Sequence, residues 1–242
     1  MTNEAARTYP TPEVPHVGVR GEATLEAEPE LARIAVTVSA RGTDRRATLD
    51  DLGARNTAVL DLVKGYGEAV DKLETGAFVI TPELRERRRG ERIRAYHGSV
   101  RIGVTLTDFT ALGELATRLA DLDLTRVDGP WWSLRPDSPA YRAARQQAVR
   151  DAVQRAREYA EALGARLLAL VELADEGMQQ TLAFPGRPAM RAAAFAGAPG
   201  SAEDMARPLD MEPEQQSVYA QVTAHFTMTA PDLSGGPAAS GG

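Results

Sequence analysis

Alanine returns at every fourth position, at Ala144, Ala148, Ala152, Ala156 and Ala160, and no other feature of the chain restricts its fold as much. That spacing sets five methyl groups on one line of an α-helix. A line with nothing beyond Cβ suits a helix whose backbone lies close against a flat partner, so the stripe calls for a sheet beside it. The ends are marked as clearly. In "PDSPA", residues 136–140, Ser138 supplies the N-cap and Pro139 the first helical position, and Gly164 closes the helix. Tyr141, Val149, Val153, Tyr159 and Leu163 flank the stripe.

Alternating segments supply the strands. Val17, Val19, Ala23 and Leu25 face one way over residues 17–27, with Arg20, Glu22, Thr24 and Glu26 opposite. After the turn "AEPE", Ile34, Val36, Val38 and Ala40 repeat the pattern over residues 33–41, and the two runs read as an opening β-hairpin. A helix over 44–65, capped by Thr43, turns Leu49, Leu52, Val59 and Val63 to one side. Strands follow over 73–84 and 93–107, the second with Tyr96, Val100, Ile102, Val104 and Leu106 alternating with Ser99, Arg101 and Thr105. Asp108 caps a short helix over 109–121 with Leu112, Leu115, Ala116 and Leu119 inward, and a strand runs from Thr125 to Leu134. Beyond the alanine helix lie strands over 167–174 and 217–229, the last alternating Val218, Ala220, Val222, Ala224, Phe226 and Met228 with polar residues.

Counted from Arg33, the order is strand, helix, strand, strand, helix, strand. This is the ferredoxin-like split βαβ unit (βαββαβ). The expected fold class is therefore α+β: that unit, preceded by a hairpin strand and extended by the alanine-spaced helix and two further strands. Residues 1–16 form a flexible arm. The folded part, 17–229, divides into a ferredoxin-like part, 33–134, and a second α/β part, 135–229. Residues 230–242 form a disordered tail. Residues 177–215 hold Met178, Met190, Met205, Met211 and five prolines without a sustained period. Such a segment is either a mobile excursion or an arm that orders against another subunit.

Composition excludes much chemistry. There is no cysteine, so disulfides, thiolate nucleophiles and cysteine metal sites are absent. His16, His97 and His225 stand far apart and form no ligand spacing. Asp121, Asp123 and Asp128 hint at a calcium loop, but Arg126 occupies the place of its required glycine, and the stretch reads as a solvated turn. No nucleophile elbow or phosphate loop is present, and "GYG" at 65–67 follows a helix rather than a strand. No catalytic residue, cofactor or metal site is assigned. The first 21 residues lack a basic start followed by an apolar run, and no apolar stretch is long enough to span a bilayer, so the expected location is the cytoplasm.

Two features are candidates for interaction. "LRERRRGERIRAYHG", residues 84–98, holds six arginines from Arg85 to Arg94 against Glu86 and Glu91, at the expected tip of the central hairpin. Arg87, Arg88, Arg89 and Arg92 would meet an acidic protein partner or an anionic surface, or simply keep the turn solvated. Nucleic acid is not expected, because the chain carries a net charge of −6 and no aromatic residues alternate with the arginines. Trp131 and Trp132 are adjacent in a strand, which puts one indole in the core and leaves the other on the open face, available to a subunit or partner.

The order and spacing of three segments resemble the SIMPL-domain family of bacterial YggE-like and periplasmic immunogenic proteins. "VGVRGEATLEAEPELARIAVTVSARG" (17–42) resembles its opening glycine-containing hairpin, with Gly18 and Gly21 as the glycine pair and Pro29-Glu30 where Pro-Asp is usual. "RIRAYHGSVRIGVTLTDFTALGELATRL" (92–119) resembles its aromatic-led strand and Asp-initiated helix, with Tyr96-His97 where Gly-Tyr is usual. "AYRAARQQAVRDAVQRAREYAEALGARLLALVELAD" (140–175) resembles its alanine-spaced helix, closing glycine and strand. The resemblance covers about residues 17–229. It implies a two-part α+β fold, self-assembly into rings or larger oligomers, and links to oxidative stress and the cell envelope, with no established catalytic residue. The expected function is thus a non-enzymatic, self-assembling protein of a stress-associated system. The alternatives are an enzyme whose site gathers distant residues around Tyr96, His97, Trp131 and Trp132, or a binding module that uses the arginine hairpin.

Overall fold

The computed structural model describes residues 9–85, 92–180 and 208–233, which form two compact units. One comprises residues 28–135 with the segment 208–216, and the other residues 9–27, 136–180 and 217–233.

In the first unit β2 (Leu31–Gly42), α1 (Arg45–Lys64), β3 (Val70–Arg85), β4 (Arg92–Leu106), α2 (Phe109–Ala120) and β5 (Thr125–Ser133) follow in that order. The sheet runs β3-β4-β2-β5 with every pair antiparallel, the arrangement of the split βαβ unit. Ile34, Val36, Val38 and Ala40 of β2 and Val100, Ile102, Val104 and Leu106 of β4 turn to one face. There they meet Leu52, Val59 and Val63 of α1 and Leu112, Leu115 and Leu119 of α2. Fully burying a side chain of this size contributes about 1.5–3 kcal/mol, so this layer is what holds the unit. Asp44 caps α1 by accepting from the Ala47 N–H at 2.8 Å, one residue after the expected Thr43. Asp108 caps α2 as expected, accepting from Thr110 and Ala111.

The second unit contains β1 (His16–Ala27), α3 (Pro139–Ala162), β6 (Leu167–Gln180) and β7 (Gln216–Met228), in a sheet of order β1-β7-β6. The opening hairpin expected from the alternation does not form. β2 pairs with β4 and β5, while β1 pairs with the last strand: the Met228 N–H donates to Pro15 O at 3.0 Å, and Gly18 lies against the His225 ring. The reason lies in β2, whose two sides are both occupied inside the four-stranded sheet, so its hydrogen bonds are used before β1 is reached.

All five stripe alanines of α3 have zero exposure. The closeness they permit is matched by β1: a Cβ on Gly21 would stand 2.1 Å from Ala148 O and 2.6 Å from Ala152 Cβ. Ser138 caps the helix with Pro139 in its first turn, and Gly164 closes it at φ +64°, a conformation favouring glycine.

Both ends of the expected loop 177–215 belong to structured parts of the chain. β6 runs to Gln180 instead of ending at 174, and residues 208–213 lie on α2 of their own chain. The Leu209 N–H donates to Thr117 Oγ1 at 3.0 Å, Met211 packs on the core, and a Cβ on Gly113 would stand 2.3 Å from Leu209 O. Residues 181–207, which include Met190 and Met205, lie outside the described residues, as do residues 1–8 of the arm and 234–242 of the tail.

Candidate functional site

Because α1 and α2 occupy one face of the four-stranded sheet, its other face carries the outward half of each alternation. On β2 these positions are Arg33, Ala35 and Thr37, and on β4 Arg101, Gly103 and Thr105. The pairing sets Trp131 beside Arg33, Gly103 beside Ala35, and Glu74 beside Gly103. Ala35, Gly76 and Gly103 therefore make a floor almost without side chains, and Arg33, Trp131, Arg101 and Glu74 stand around it. They enclose an open cavity of about 510 Å³.

Each wall has a local cause. Trp131 and Trp132 are consecutive in β5 and face opposite ways. Trp132 packs on the core, edge-on to Phe109 with ring centroids 4.8 Å apart, whereas Trp131 is 48% exposed. That is the division expected from the sequence. Arg33 lies over the floor, its Nη2 3.4 Å from where a Cβ of Gly103 would be. Glu74 is held by Lys72 Nζ at 2.7 Å, and this hydrogen bond, followed by the charges of Lys72 and Arg33, lowers its pKa below the ordinary carboxylate value.

The other sequence candidates fall elsewhere. β3 and β4 pair as far as Arg85 and Arg92, so Arg85 ends one strand of the hairpin and Arg92 and Arg94 begin the other. Arg87, Arg88 and Arg89 lie outside the described residues, and Arg92 is described only as the first residue of β4. Near the connecting end of this hairpin Glu83 accepts from Arg41 Nε at 3.0 Å and lies 3.6 Å from Arg94 Nη1. The Arg41 hydrogen bond is the main reason its carboxyl titrates below the usual range.

Tyr96 and His97 pair with Gly42 and Arg41, whereas Trp131 and Trp132 pair with Arg33 and Ala32. Eight residues of β2 separate the two groups, about 26 Å at the rise of a strand, so they form no common site. Among the described residues no group of three or more His, Asp or Glu is placed to hold a metal, and Asp128 is paired with Arg126 at 2.6 Å.

Sequence reading missed Arg33, Glu74, Arg101 and the small floor residues. The signal for Arg33 and Arg101 was present, since both hold outward positions of recognised strands. Register was not: which outward residues become neighbours depends on pairing between strands far apart in the chain.

A second surface lies on β6, an edge strand of its sheet. Leu167, Leu170 and Leu173 are opposite Met228, Phe226 and Ala224, the inward residues of β7. Yet Leu170 is 53% and Leu173 46% exposed, because among the described residues α3 lies mainly over β1 and only slightly over β6. Leu168 and Val171, at the shifts in register, are 58% and 44% exposed. Edge strands with several exposed large apolar side chains are unusual, because they invite pairing with another chain.

A family described as SIMPL, a protein of unknown function (DUF541), matches residues 17–226. An uncharacterized protein YggE of Edwardsiella ictaluri is 24% identical over 157 residues, covering 64% of this chain and 66% of that protein. The 26 kDa periplasmic immunogenic protein of Brucella melitensis is 25% identical over 182 residues, covering 72% of this chain and 68% of the relative, and its namesake in Brucella abortus matches equally. The chain thus spans about two thirds of the length of these relatives.

Proposed function

We propose, from the premise that the chain belongs to the SIMPL family of proteins of unknown function, that it works by self-assembly and binding rather than by catalysis. The observation that carries this reading is the edge strand β6, whose Leu170 and Leu173 are exposed and which no other described residue pairs with on its outer side. Its inward leucines are symmetric about Leu170, three residues before it and three after. A second β6 running antiparallel sets Leu170 against its own copy and each Leu167 against Leu173 of the other chain. A closed two-fold contact of this kind satisfies an edge that would otherwise pair without limit. The stress association rests on the family resemblance alone. The relatives named periplasmic favour an exported setting over the cytoplasmic one expected from the first 21 residues, and cell fractionation decides between the two.

The mass of the purified full chain is expected to be a multiple of 26.0 kDa. Leu170→Lys, which brings two like charges together on the axis, should reduce the mass to that of the monomer while leaving the circular dichroism unchanged. Since the chain has no cysteine, Leu170→Cys introduces a single thiol and should give a covalent dimer under mild oxidation, whereas Arg142→Cys on exposed α3 should not. A wild type that stays monomeric at every concentration, with no crosslink through position 170, overturns the reading.

A further inference from the structure

We propose that the small-residue cradle on the open face of the four-stranded sheet binds a planar organic anion of the nucleoside monophosphate type, with its ring at the Trp131 end and its acid group at the Arg101 end. Its volume of about 510 Å³ falls within the range of small-ligand sites, roughly 300–1,000 Å³. The floor makes the site flat. Gly76 and Gly103 carry no side chain and Ala35 is itself buried beneath its neighbours, so the Arg33 guanidinium lies flat over the floor, and any larger residue at 103 fills the space beside it. A flat floor beside an exposed indole favours a ring over a branched apolar group, because ring faces stack on tryptophan.

The charges favour an anion. Arg33 and Arg101 are the cationic walls, and the one acidic wall, Glu74, is already engaged by Lys72. Guanidinium groups bind phosphate and carboxylate through paired hydrogen bonds. The register fixes the ligand's length. Arg101 is opposite Thr37, four residues along β2 from Arg33 and its partner Trp131, which is about 13 Å at the rise of a strand. One inorganic phosphate reaches only one end of such a site, whereas a ring and a phosphate joined by a sugar reach both. The assignment is independent of assembly through β6, since every lining residue lies within the four-stranded sheet.

The test titrates the full-length protein with adenosine 5′-monophosphate by calorimetry, with adenosine and inorganic phosphate as separate arms. Saturable binding is expected for the monophosphate and at least tenfold weaker binding for either half. Arg101→Gln and Trp131→Ala should each weaken monophosphate binding by about tenfold or more, the scale of a lost charge-assisted hydrogen bond or stacking contact. Both side chains are exposed, so melting temperature should not move. Gly103→Val should abolish binding by filling the floor, and Arg142→Gln on α3 should have no effect. The proposal is overturned by a wild type that does not bind the monophosphate, by phosphate alone binding as tightly, or by affinity unchanged in Arg101→Gln and Trp131→Ala.

Discussion

Gly21 and the two tryptophans show how much one side chain decides here. The backbone of α3 occupies the space where a Cβ of Gly21 would be, so Gly21→Ala must push the helix from the strand. Overpacking of this kind typically costs about 1–3 kcal/mol, and the melting temperature should fall accordingly. If Gly21→Ala melts with the wild type, α3 does not lie against β1 this closely. Trp132→Ala removes a partly buried ring packed on the core and should cost about 2–3 kcal/mol, below the range for a fully buried aromatic, whereas Trp131→Ala should leave the denaturation midpoint nearly unchanged. Equal losses would refute the assignment of one indole to the core and one to solvent. Opposite facing of adjacent strand residues follows from strand geometry, so it was legible in the sequence. What surrounds Trp131 was not, because Arg101 and Glu74 reach it only through strand register.

The helices were legible nearly to the residue, because capping is a short-range event. Asp108 and Ser138 sit where their hydrogen bonds require, and the displaced cap of α1 differs by one position because Asp44, not Thr43, faces the open N–H of Ala47. Asp108→Ala should destabilise the first unit by about 0.5–2 kcal/mol in denaturant unfolding, and an unaffected midpoint would show that the cap is not needed. The ends of β3 and β4 are joined to β2 through Glu83 and Arg41, which gives a pH dependence. Glu83 titrates below its ordinary value in the folded state. Its stabilising effect is therefore fully present above the unfolded-state value and is lost as pH falls through the lower folded-state value. In thermal melts from neutral to acidic pH the wild type should lose stability more steeply than Glu83→Gln, and parallel curves would exclude the Arg41 interaction as the cause.

Across the whole molecule, the ferredoxin-like order was legible because six consecutive elements complete it. The hairpin between β1 and β2 was misread for the complementary reason. Local alternation identifies a strand but does not choose its partner, and the partner of β1 is more than two hundred residues away at the Pro15–Met228 and Gly18–His225 contacts. The stripe alanines carried the information that a sheet must lie beside α3, but not which strand, nor that the leucines of β6 would be exposed. Those exposed leucines are the feature on which the assembly reading depends.

The pairing of the first strand with the last also sets an order of events during synthesis. Residues 28–135 contain every strand and helix of the four-stranded sheet, and can complete that sheet while the rest of the chain is still being made. β1 has left the ribosome long before, yet must wait for β7, the last of the described strands. A chain stopped after residue 215 should retain the first unit's cooperative melt and lose that of the second, leaving β1 and α3 without the strand between β1 and β6. Two cooperative transitions in the truncated chain would contradict this. Loss of β7 therefore exposes β1 and α3, so that a strand made late protects one made early.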